Sequence, residues 1–141
     1  MKSTSLVIFL LIGLMGNGIA QEKIDQKEMI GFACFFGGMP TDPVLKVTKK
    51  LYEKKYKTIA KMLQSKNNAE RYMAAVTLEK LEESNKYTLS EKDKTEIEKI
   101  KQSSEVVSVC SGCSYFDVIE LKKMFSTEMK LGTERWLDKH F

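Results

Sequence analysis

Residues 106–118, VVSVCSGCSYFDV, decide how the chain is read. They hold Cys110 and Cys113; the third cysteine, Cys34, lies far upstream. Val106, Val107 and Val109 are β-branched and suit a short extended piece. Behind them, Ser114-x-x-Asp117 has the spacing of a helix N-terminus. Tyr115, Val118, Ile119, Leu121, Met124, Phe125 and Met129 follow, so the spacing predicts a helix from Ser114 to about Leu131, closed by Gly132. On that reading the stretch joins helices, and the whole fold is all-α.

The upstream chain carries the same expectation. Charged residues make up 30% and apolar ones 43%, a balance that favours a folded domain over disorder. The only prolines, Pro40 and Pro43, share one loop, so nothing downstream breaks a helix by that means. Asp25-x-x-Glu28 predicts a first helix through Phe36, ended by Gly37-Gly38. Asp42 and Pro43 start a second. Its apolar set, Val44, Val47, Leu51, Tyr52, Tyr56, Ile59, Ala60 and Leu63, forms one amphipathic helix, or two with a break near Glu53 to Lys57. An asparagine-capped helix follows over 69–83, then Ser90-x-x-Asp93 caps one to about Lys101. A last helix spans 133–140. The expected fold class is all-α: a small stack or bundle of five to seven short helices.

Residues 56–81, YKTIAKMLQSKNNAERYMAAVTLEKL, place two apolar helical runs around the polar turn SKNN. This segment resembles a HEAT-like (armadillo-type) helical pair. The resemblance implies HEAT-like helical hairpins presenting a surface to another macromolecule; it implies no catalytic residues.

Residues 1–20 read as a cleaved signal peptide: Lys2, then the apolar run Leu6 to Met15, then small residues at Gly18 and Ala20. The run is too short to span a bilayer. Residues 21–141 are then one all-α domain, secreted or periplasmic, with no transmembrane segment after cleavage. Losing Lys2 lowers the formal net charge from +4 to +3.

The inventory for chemistry is thin. The single histidine, His140, sits where chain ends fray, and no phosphate loop, nucleophile elbow or metal motif is present. No catalytic residue, metal ligand or cofactor is assigned, and a non-enzymatic role is preferred. Lys46, Lys50, Lys54, Lys57 and Lys61 outline a basic interaction face in a stretch with one acid, Glu53. Such a face suits a protein partner or an anionic surface; nucleic acid is not expected for an exported chain.

The cysteines are the sharpest feature. Export favours a disulfide. Closing the long loop from Cys34 to Cys110 is worth about 4.5 kcal/mol, and closing Cys110 to Cys113 about 2. The expected staple runs from Cys34 to Cys110 or to Cys113 and leaves one thiol over. The sequence therefore predicts an exported helical binding or interaction module stabilised by a disulfide. Two alternatives stand beside it. One is a thiol–disulfide oxidoreductase using Cys110 and Cys113 before a helix N-terminus. The other is a small hydrophobic-ligand carrier with a closed apolar cavity.

Overall fold

Val107, Val109 and Ile119 are buried, whereas most residues between and around them are not. Alternation of period two belongs to a half-buried sheet, not to a helix. The computed structural model describes residues 25–126 and 131–141. In it three strands form one mixed sheet in the order β1–β2–β3: β1 (Met29–Ile30), β2 (Val106–Ser111) and β3 (Tyr115–Glu120). β1 runs parallel to β2, with Ile30 beside Val109. β2 and β3 are antiparallel, with Val107 opposite Ile119 and Cys110 opposite Phe116. Gly112 makes the turn between them at φ +63°, a left-handed conformation that glycine adopts without strain.

The all-α expectation is therefore corrected: six helices accompany this sheet among the described residues. The predicted helix over 114–131 shrinks to α5 (Leu121–Met124) within the described residues, and Met129 falls outside them. Ser114 lies in the hairpin turn, and the Asp117 carboxylate accepts from the next amide, Val118, at 2.8 Å. The spacing of Ser114 and Asp117 mimics a capping box, but the β-branched run before it captures the segment as a pairing strand. The predicted helix over 25–36 is also replaced. Asp25 accepts from the amides of Lys27 and Glu28 in a tight turn, and the chain then extends into β1.

The other helices stand close to expectation. α1 (Asp42–Tyr52) and α2 (Tyr56–Met62) realise the two-helix alternative, with Lys54 left-handed at φ +54° in the break. α3 (Asn68–Glu83) is capped by Asn67, whose side chain accepts from Ala69 and Glu70. Ser90 and Asp93 form a reciprocal capping box on α4 (Glu91–Lys101). α6 (Thr133–His140) closes the described chain.

α3 is the central element: residues 72–78 are buried throughout, and it packs against α1, α2, α4 and β2. Ile30, Val107, Val109 and Ile119 face that helical core. The opposite face of the sheet carries a second, smaller cluster of Met29, Cys34 and Cys110, partly covered by Phe35. No helix among the described residues is long and apolar enough to cross a membrane. The signal-peptide assignment to residues 1–20 lies outside the described residues.

Candidate functional site

α1 has two working faces. Val44, Val47 and Leu51 are buried in the core, while Leu45, Thr48 and Tyr52, at spacings of three and four, line an open cleft of about 570 Å³. α6 forms the facing wall. Its residues 135, 136, 139 and 140 line the cleft together with Gly132 just before it, because positions three and four apart stack along one side of a helix.

The two walls are locked together by Trp136. Its indole is 7% exposed, and its Nε1 donates to the Thr48 hydroxyl at 3.1 Å. Thr48 in turn donates to the Val44 carbonyl at 2.7 Å, so its orientation is fixed. Phe32 packs on Trp136 with ring centroids 6.0 Å apart, and His140 packs on it at 5.0 Å. The Tyr52 hydroxyl lies 3.0 Å from Nδ1 of His140, and the two rings meet edge to face. His140 is thus packed between Trp136 and Tyr52, contrary to the fraying expected of its position. Burial, helped by the Lys139 charge, holds its pKa below the ordinary histidine value. Near neutral pH it is an uncharged ring, and Arg135 and Lys139 are the cations of the cleft.

Deeper contacts hold α6 in place. Gly132 precedes it at φ +101°, with the Phe32 ring close to where a side chain would stand. The Tyr72 hydroxyl lies 2.8 Å from the Thr133 hydroxyl and reaches the Met124 carbonyl. Burial pushes the Tyr72 pKa up to about 12, so this link stays protonated through the physiological range.

The far end of the cleft is closed by Phe32, Ala33 and Ser111, which flank the bonded cysteines. Cys34 and Cys110 form a disulfide, and both residues are fully buried. Backbone bonds reinforce it: Phe35 donates to Gly112, and Gly112 donates to Ala33. On its outer side Gly31 packs against both sulfurs, and Thr41, almost fully buried, ties Gly31 to the start of α1. The staple therefore joins β2 to the loop that leads into α1, and so fixes the two chain segments that end the cleft.

Of the three cysteine candidates, Cys34 and Cys110 are brought together and Cys113 is left as an exposed thiol, 3.6 Å from the Phe35 carbonyl. Cys110 is not bonded to Cys113, and the residue behind Cys113 enters a strand; the helix N-terminus that would lower a thiol pKa is absent there. Titration of the folded, unreduced protein with Ellman's reagent should yield one thiol per chain, lost on Cys113→Ser. Two or three native thiols would contradict the pairing.

The five lysines of the expected basic face come from two helices and the break between them. Lys46 and Lys50 lie on α1, Lys54 in the break, and Lys57 and Lys61 on α2. Lys46 is engaged by Glu70 of α3, which lowers the Glu70 pKa against an opposing burial effect. None of the five lines the cleft. The cleft residues that sequence reasoning passed over were Leu45, Thr48, Arg135 and Lys139. A second stripe on α1, Leu45-Thr48-Tyr52, running beside the core stripe, was the available signal.

No carboxylate lines the cleft, and among the described residues no three His, Cys, Asp or Glu side chains gather as metal ligands. The Thr48 hydroxyl is engaged by Val44 and Trp136, and the Tyr52 hydroxyl by His140. The arrangement is suited to holding a molecule by shape, apolar contact and positive charge.

Comparison with protein-family models, curated proteins and solved structures finds no match to this chain. The functional reading rests on the cleft itself.

Proposed function

We propose that the chain is a disulfide-stapled binding module that acts without catalysis outside the cytoplasm, and that its ligand site is the cleft between α1 and α6. The observation that carries this reading is a concavity of about 570 Å³ with an aromatic and aliphatic floor, bordered by cations. That volume falls in the range of small-molecule sites, which are mostly apolar with a few placed polar groups. The leader-like residues 1–20 and the buried disulfide both support export to an oxidising compartment, either periplasmic or extracellular. A closed carrier cavity is a poorer description, since the cleft is open to solvent and Tyr52 in its lining is 69% exposed.

Trp136 is the only tryptophan, so intrinsic emission reports on this site alone. Decanoate, decanol and naphthoate should be titrated against the unreduced protein. The expected result is a saturable change in Trp136 emission for at least one of them, weakened about fivefold by Leu45→Asp, which removes half-exposed apolar surface from the wall. Saturable binding seen by calorimetry with no change in Trp136 emission would place the site elsewhere.

A further inference from the structure

The floor and the border of the cleft differ in kind, and the difference specifies a ligand. Phe32, Leu45 and Trp136 supply apolar surface. Arg135 and Lys139, one turn apart on α6 and both exposed, stand at its edge. Some other lysines are matched by acids: Lys46 by Glu70, Lys99 by Glu96, and Lys101 by Glu79 and Glu98. Arg135 and Lys139 form no ion pair among the described residues, although Glu134 and Asp138 share their helix. Two cations facing a concave, low-dielectric wall with no carboxylate in it concentrate positive potential there. A guanidinium in that position offers the two-pronged geometry that a carboxylate accepts.

We propose that the cleft takes a single-chain amphiphilic carboxylate, with its headgroup on Arg135 and Lys139 and its hydrocarbon body across Phe32, Leu45 and Trp136. This rests on the cleft being the ligand site. The cleft is open to solvent, so chain length is not capped by its volume, and a free fatty acid is the simplest such ligand. The Tyr52 and His140 rings, held to each other at 3.0 Å through the hydroxyl and Nδ1, also line the cleft.

The test compares decanoate, decanol and decyltrimethylammonium by calorimetry and Trp136 emission, on the parent protein and on Arg135→Gln/Lys139→Gln. Both side chains are exposed, so the variant keeps its fold and its single native thiol. Decanoate should bind most tightly and lose at least tenfold in the variant, while decanol is unchanged. Equal binding of decanoate and decanol, insensitive to the double substitution, overturns the carboxylate assignment and leaves the cleft as the site. No response of Trp136 to any of the three overturns both. Binding to anionic phospholipid vesicles without binding of monomeric decanoate overturns the proposal in favour of a surface contact.

Discussion

Gly31→Ala is expected to prevent the Cys34–Cys110 bond from closing in the native fold. A β-carbon at that position would overlap both sulfurs and stand 2.9 Å from the Cys110 carbonyl oxygen. The backbone cannot back away, because Gly31 donates to the Thr41 hydroxyl at 3.1 Å and its carbonyl accepts from the Thr41 amide at 2.9 Å. Thr41 is itself 1% exposed and sits at the start of α1. Sulfurs joined to each other are not a flexible side-chain tip that can swing aside. The methyl group therefore competes with the disulfide, and either outcome costs about 3–5 kcal/mol, through the lost bridge or through stored strain. Ellman titration of the native variant should rise from one thiol towards three, with a matching fall in the urea midpoint. One thiol and an unchanged midpoint would show that the space around the sulfurs is larger than described.

Cys34→Ala/Cys110→Ala removes the bridge without crowding it. Alanine is preferable to serine because the satellite cluster with Met29 is apolar and would leave a hydroxyl unpaired. Chain entropy for a sequence separation of 76 residues sets the expected loss at about 4.5 kcal/mol. Single domains have only about 5–15 kcal/mol in all. The variant should therefore be marginal at ambient temperature. Where it remains folded, its cleft should be looser, since Phe32, Ala33 and Ser111 lose the tie that holds them as one end wall. Adding Gly31→Ala to this background should cost much less than in the parent, because the clash partner has gone. A loss below about 1 kcal/mol would mean the denatured chain is already restrained across the same loop.

The helices were readable because their ends are written in short-range chemistry. Ser90 and Asp93 cap α4 reciprocally, Asn67 caps α3, and Pro43 sits in the first turn of α1. The strands were not, because their signals are non-local. β1 is two residues long and exists only because Ile30 meets Val109 across most of the chain. β3 exposes Tyr115, Phe116, Asp117 and Val118 and buries only Ile119, so its apolar residues do not outline a core face. The same residues can be laid on a helix, and Ser114-x-x-Asp117 encouraged it. The valine run of β2 was the better guide, since Val107 and Val109, two positions apart, are both buried.

The cleft was legible in part. Trp136 and Tyr52 stood out as apolar positions, but the pairing of α1 with α6 spans most of the chain: Thr48 meets Trp136 and Tyr52 meets His140, each across 88 residues. No local pattern carries that. The staple was legible as a bridge from Cys34, and its partner was settled by the hairpin, which turns Cys110 into the small cluster and Cys113 out at the turn.

Peptide mapping of the unreduced protein by mass spectrometry tests the central claim most directly, namely that Cys110-Ser-Gly-Cys113 is one end of a staple holding the cleft wall and not a redox pair. A single cross-linked peptide joining Cys34 to Cys110 is expected, with Cys113 carrying the alkylating label. A Cys110–Cys113 bridge with Cys34 alkylated would contradict it.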